Sequence, residues 1–196
     1  HTSLDPDTMI NAHTWDAALL SAGAAIEATD AVLAGELENA FCAIRPPGHH
    51  ACRDKAMGFC FLDNVVIAAK HALDHHGLSR VAILDFDVHH GNGTQDLVWD
   101  DARIAFCSSH EMPLYPGTGA RNETGVNGNV VNAPLSAGAG SSEWRRAMED
   151  RVLPALDAFA PELILVSAGF DAHKADPLAQ MELETEDFAW AGQRLR

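Results

Sequence analysis

The sequence predicts an α/β protein with a mostly parallel central sheet and helices on both of its faces. Two observations lead there. Short apolar and β-branched runs alternate with longer amphipathic stretches rich in Ala, Leu and charged residues at helical spacing. The short runs are almost continuously apolar, as expected of strands buried on both faces, and do not alternate in and out. An apolar fraction of 47% with 15 Gly and 9 Pro suits one packed domain, and no repeat or low-complexity linker divides the chain.

In chain order, Ala12–Leu33 reads as the first helix and Ala40–Ile44 as a strand leading into the stiff segment Arg45–Ala51. A helix follows over Asp63–His76, then strands at Val81–Phe86, Ile104–Cys107 and Asn129–Asn132. Ser142–Phe159 reads as a helix, Leu163–Val166 as a strand and Glu184–Leu195 as a last helix. In such a sheet, ligands bind beyond the carboxyl ends of the strands, so the polar residues there are the place to seek chemistry.

Composition narrows the partners. With 13 Lys plus Arg against 28 Asp plus Glu, the formal charge is −15, which argues against direct nucleic-acid binding and suits a cationic small molecule or peptide. No apolar run approaches the roughly 18 residues a membrane span needs. The four cysteines, Cys42, Cys52, Cys60 and Cys107, form no CxxC pair and no dense framework. Together with the lack of a visible secretory signal, they predict reduced thiols and a cytoplasmic protein.

The strand at Val81 runs into Asp85-Phe86-Asp87-Val88-His89-His90-Gly91-Asn92-Gly93. Alternation along a strand sends Asp85, Asp87 and His89 to one side and Phe86 and Val88 to the other. Carboxylates crowded at a core edge carry a large desolvation cost unless a cation sits among them. The strand at Leu163 ends similarly, in Ser167-Ala168-Gly169-Phe170-Asp171, and a parallel neighbour would bring Asp171 to the same edge. Two Asp and one His leave room for water and suit Zn²⁺ or a similar divalent ion. In Arg45-Pro46-Pro47-Gly48-His49-His50-Ala51 the prolines stiffen the loop that presents two adjacent histidines, an arrangement fit for acid–base work. Asp85 is the expected orienting acceptor for His49 and Asn92 for His50. His75-His76, at a helix end before Gly77, is expected to meet the last carbonyls and do no chemistry. Met57–Phe61 and Leu114–Gly119 set aromatics beside glycines, either as walls of a narrow channel or as core aromatics in tight turns.

Five ordered motifs, RPPGHHA at Arg45–Ala51, GFCFLDN at Gly58–Asn64, DFDVHHGNGTQD at Asp85–Asp96, YPGTG at Tyr115–Gly119 and AGFDAHKADPL at Ala168–Leu178, together resemble the zinc-dependent histone deacetylase family. The flavour is that of its class II-like and bacterial acetylpolyamine amidohydrolase-like branch. The resemblance implies an arginase/deacetylase-like three-layer α/β fold and a hydrolase that removes acyl groups, usually acetyl, from lysine or polyamine nitrogen. It implies zinc on Asp87, His89 and Asp171, His50 as general base and acid with His49 as an electrostatic partner, and Asp85 and Asn92 in support. Phe59 and Tyr115 match its channel walls, Gly58 a carbonyl that meets the substrate amide, and Leu178 the rim. A structural potassium ion is implied near Asp85, with backbone oxygens around Asp87, His89 and Ser108.

The family's oxyanion-stabilising Tyr, or His in some members, is expected in a Gly-rich loop beyond Arg196, and the family's first strands before His1. The 196 residues are therefore expected to be the central portion of a larger domain, of little activity by itself and with exposed sheet edges. Two rival readings stand beside the deacetylase. One is an arginase-like hydrolase of guanidino compounds, which needs two manganese ions and further Asp/His motifs. The other is a metal-holding, non-catalytic module that binds acylated or cationic ligands. The sequence leaves the oligomeric state and the acyl preference open.

Overall fold

Strand β3, Val81–Asp85, is the axis of the molecule, and a computed structural model describes it and the rest of residues 2–196. On one side it pairs in parallel with β4, Ile104–Glu111, and on the other with β6, Leu163–Ser167. β5, Val130–Leu135, adds in parallel to β4, giving the order β5-β4-β3-β6. A separate antiparallel pair, β1 at Thr2–Ser3 and β2 at Met9–Ile10, was not foreseen from the sequence.

The sheet's alternation divides the core into two layers. Ala82 and Leu84 of β3 and Ala105 and Cys107 of β4 face one cluster, with Trp144, Met148, Val152 and Leu156. Val81 and Ile83, with Ile104 and Phe106, face the other, against Val66, Ala69, Ala72 and Leu73. Helix α2, Asn64–Asp74, supplies the second set, and a helical run from Ser141 to Phe159 the first. Helices therefore cover both faces, as the three-layer expectation requires. Each large aliphatic or aromatic side chain removed from water here contributes about 1.5–3 kcal/mol.

Local chemistry explains most boundaries. Asp63 caps α2 by accepting from the Val66 N–H at 3.1 Å, and its other oxygen accepts from the Thr94 hydroxyl at 2.8 Å. That second bond fastens α3, Asn92–Val98, a short helix the sequence reading left out. α1 spans Thr14–Leu33, and α6 spans Thr185–Arg194. The helix expected over Ser142–Phe159 is interrupted: α4, Ser141–Ala147, widens into a π-turn at Met148–Val152 before α5, Leu153–Phe159. Pro154, in the first turn of α5, has no N–H to donate, and the Leu153 N–H reaches back five residues to the Met148 carbonyl.

Three strand expectations need correction. Ala40–Ile44 is not a strand: among the described residues nothing pairs with it, and Ala40, Phe41 and Ala43 are exposed. β4 runs on past Cys107 to Glu111 because its polar tail is satisfied inside, Ser109 accepting from the Trp144 indole N–H at 3.0 Å. β6 forms where expected but is only half-buried, since it is an edge of the sheet among the described residues. β5 is the other edge, where Pro134 costs no ladder bond. No helix of the described residues is long and apolar enough to cross a membrane, and all four cysteines are free thiols.

Candidate functional site

The parallel register sets Asp85, at the end of β3, opposite Ser167, at the end of β6. Both strands stop there, and the segments that follow converge. Val88 donates its N–H to Asp171 Oδ1 at 2.9 Å, which locks the loop after β3 to the loop after β6. His89 Nδ1 then lies 2.9 Å from Asp171 Oδ2 and 3.2 Å from Asp87 Oδ1. One donor atom from each of Asp87, His89 and Asp171 falls within 4.8 Å of the others, and all three side chains are partly open to solvent.

Strand alternation does not carry past Asp85. Asp87 and His89 sit in bends beyond the strand, while Asp85 turns away from them into the core and is fully buried. The sequence expectation that all three project together is thus corrected: the group at the edge is Asp87, His89 and Asp171. Gly169 makes this approach feasible, because a Cβ there would run into the Asp87 carboxylate.

The donor set suits a divalent ion. An imidazole nitrogen between two carboxylate oxygens needs a positive charge at that point, and either a proton or a metal supplies it. Burial alone would lower His89, yet its hydrogen bonds to Asp171 and Asp87 hold the imidazole up at about 9. Two carboxylates and one imidazole, partly open to solvent, form an open mixed O/N site of the kind that binds catalytic zinc.

The His pair stands beside this group. His49 Nδ1 lies 2.8 Å from Asp85 Oδ2, and His49 Nε2 is 3.8 Å from Asp87 Oδ2. Burial opposes a charge on His49, but the Asp85 and Asp87 carboxylates prevail and push it up to about 10. His50 Nδ1 lies 2.8 Å from Asn92 Oδ1. Asn92 spends its amide hydrogens on Cys52 Sγ at 3.3 Å and Met57 Sδ at 3.4 Å, so its oxygen is the acceptor and His50 Nδ1 carries the proton. Burial and then the neighbouring His49 cation push His50 down to about 3. The two imidazoles, with centroids 4.0 Å apart, are thus driven in opposite directions, the first toward its cationic form and the second toward its neutral form.

Gly58 has φ 55, and a Cβ on it would strike the His50 ring. Tyr115 sets its ring edge-on to His50, with centroids 5.2 Å apart, and 6.3 Å from His89. Phe59, at φ 66 and half exposed, lines a groove of about 520 Å³ together with Asp7, Met9, Arg45, Pro46 and Phe61. Phe59 and Tyr115 are thus exposed groups and not core fillers, and Tyr115 stands against the His pair. Leu178 is exposed, its N–H donating to Asp176 Oδ1 at 2.9 Å.

Several supports escaped the sequence reading. His90 points away from His89 and is buried, with Nδ1 2.8 Å from Thr118 Oγ1 and Nε2 3.1 Å from Gln95 Oε1. It thereby fastens the Tyr115–Gly119 loop to α3. The Cys52 and Met57 sulfurs that hold Asn92 had no signal beyond their nearness to the two loops. His76 meets Asp30 and not the helix carbonyls it was expected to meet.

All 196 residues match the family described as Histone deacetylase domain. The chain is 46% identical over 190 residues to the Histone deacetylase-like amidohydrolase of Pseudomonas aeruginosa, covering 95% of this chain and 50% of that protein. Among solved structures, the HDA15 HD domain superposes with a TM-score of 0.95 at 38% identity, covering 99% of this chain and 58% of that one. An acetylpolyamine aminohydrolase from Burkholderia pseudomallei gives 0.92 at 36% identity, covering 97% and 56%. The chain spans 50% to 61% of the length of the first curated relatives it matches. By fold, by motif order and by this match, the chain belongs to the histone deacetylase domain family.

Proposed function

We propose that the protein containing this chain is a zinc-dependent amidohydrolase that releases acetate from acetyl-lysine or acetylated polyamine. The observation that carries this reading is the placement of an open Asp87–His89–Asp171 group beside two adjacent imidazoles, one held by Asp85 and the other by Asn92. Relatives named for histone-type and polyamine deacetylation support the same class. Asp87, His89 and Asp171 would hold the zinc ion. When bound, the ion polarises an amide carbonyl and acidifies a coordinated water.

The chain's own residues supply the proton chemistry. His50 is neutral with Nδ1 engaged by Asn92, so its Nε2 lone pair is free to take a proton from the attacking water. The same Nε2–H then returns the proton to the departing amine nitrogen, so that the C–N bond breaks and neutral amine leaves. His49, held cationic by Asp85, offers positive charge next to the site of oxyanion growth and shifts no proton. Tyr115 and Phe59 would flank an extended aliphatic chain, with the Gly58 carbonyl facing the substrate amide and Leu178 at the rim. Asp85 and Ser108, register partners and both fully buried, would neighbour a structural potassium ion. A guanidino hydrolase with two metal ions fits less well, since among the described residues this edge gathers one group of three ligands.

The test is acetate release by the full-length protein from acetyl-lysine peptides and from acetylated polyamines. Release from either class supports the reading. Hydroxamate binding without turnover of either would replace it with a non-catalytic, ligand-holding module.

A further inference from the structure

A second set of ligand-type side chains converges at the carboxyl end of α2, among none of the residues of the sheet edge. His71 and His75 are four residues apart on one helix face, with their rings stacked at a centroid distance of 4.8 Å and 15° between planes. His76 stands edge-on to both, at 5.2 Å from His71 and 5.1 Å from His75. From the neighbouring helix α1, Asp30 brings a single oxygen, Oδ1, to 2.6 Å from Nε2 of both His71 and His76. One nitrogen of each imidazole lies within 4.8 Å of the others.

We propose that His71, His75, His76 and Asp30 form a second metal site, which takes a borderline divalent transition ion such as Zn²⁺ or Ni²⁺ and clips α1 to α2. Three imidazoles and a carboxylate are the donor types and the number such ions take in four-coordinate sites. Hydrogen bonding to Asp30 accounts for His71 and His76, but it does not account for His75, whose ring is gathered to the same point without a carboxylate partner. The site lies at the negative end of the α2 dipole, which favours a cation. Asp30 is about half exposed, and His75 and His76 are exposed, so an ion has an entry path. The clip also has a mechanical complement. At the amino end of α2, Asn64 Nδ2 donates to Ser21 Oγ of α1 at 3.0 Å, so an ion at Asp30 would add a second tie between the two helices, at the carboxyl end of α2.

The test is calorimetric titration of chelator-stripped full-length protein with Zn²⁺ alone, alongside thermal unfolding. Wild type is expected to bind two equivalents, and His75→Gln/His76→Gln one. Asp171→Ala should also bind one, and the combination none. Asp30→Asn, a mild surface change, should weaken the second equivalent at least tenfold and remove the rise in unfolding temperature that it brings. Equal stoichiometry and affinity in wild type, His75→Gln/His76→Gln and Asp30→Asn would overturn the proposal. So would a second equivalent that disappears only with Asp171. Because Asp171→Ala isolates the α2 site, its failure is distinguishable from failure at the sheet edge.

Discussion

His49 Nδ1 lies 2.8 Å from Asp85 Oδ2, and this contact is the first of the carboxylate contacts that favour a charge on His49. The Asp85 and Asp87 carboxylates push His49 toward its protonated form, and burial together with the neighbouring His49 pushes His50 toward its neutral form. Replacing the proton acceptor should therefore cost more than replacing its partner. His50→Ala is expected to lower acetate release by about 10²–10⁴, with a smaller loss in His49→Ala. Equal losses, or the reverse order, would show that the roles are exchanged.

Asn92 is held by two sulfurs so that its oxygen faces His50. Asn92→Leu removes that acceptor while filling similar volume, which leaves His50 free to rotate or change tautomer. An activity loss of about 10–100-fold is expected, with metal content unchanged. The comparison of turnover with metal content separates a displaced base from a damaged metal group.

Gly169 packs against the Asp87 carboxylate with no room for a methyl group. Gly169→Ala should push Asp87 from His89 and Asp171 and weaken zinc binding by about 10–100-fold. Competition with a chelator of known affinity measures this. Gly138→Ala is a suitable control, since a Cβ there meets nothing within 4 Å; its positive φ predicts only a modest stability cost and unaltered zinc affinity.

Asp187 joins α6 to α4, accepting from the Ser141 hydroxyl at 2.6 Å, Arg145 Nε at 2.7 Å and the Glu184 N–H at 2.9 Å. Burial alone would raise its pKa, but these bonds hold it below the usual carboxylate value. A depressed folded-state pKa stabilises the fold above the unfolded value, and that contribution is lost as pH falls through the folded one. Asp187→Asn should thus cost about 1–3 kcal/mol at pH 7. The gap to wild type should shrink below about pH 4. Denaturant titrations at both pH values read this out, and a gap that widens in acid would contradict the sign.

Much of this was legible in the sequence because the informative residues are local. Asp85, Asp87, His89 and Asn92 lie within eight consecutive residues, and strand patterning places β3 and β6 correctly. The partners His49–Asp85 and His50–Asn92 were foreseen by chemistry, and the structure brings each pair to 2.8 Å. What escaped is what depends on distant neighbours. Ala40–Ile44 has strand composition but no pairing partner among the described residues, and Ser108–Glu111 has loop composition but is buried and paired with β5 along its length. His75-His76 read as an idle helix end because Asp30, which meets His76, lies some 45 residues earlier in the chain. Composition reports a residue's preference, and pairing and burial decide whether it is met.

The most direct test of the sheet-edge assignment is acetate release by chelator-stripped full-length protein before and after Zn²⁺ is restored. Activity should vanish on stripping and return with zinc in wild type and in His75→Gln/His76→Gln, but not in Asp171→Ala. Undiminished release from stripped protein, or wild-type activity in Asp171→Ala, would contradict the assignment of Asp87, His89 and Asp171 as the catalytic metal group.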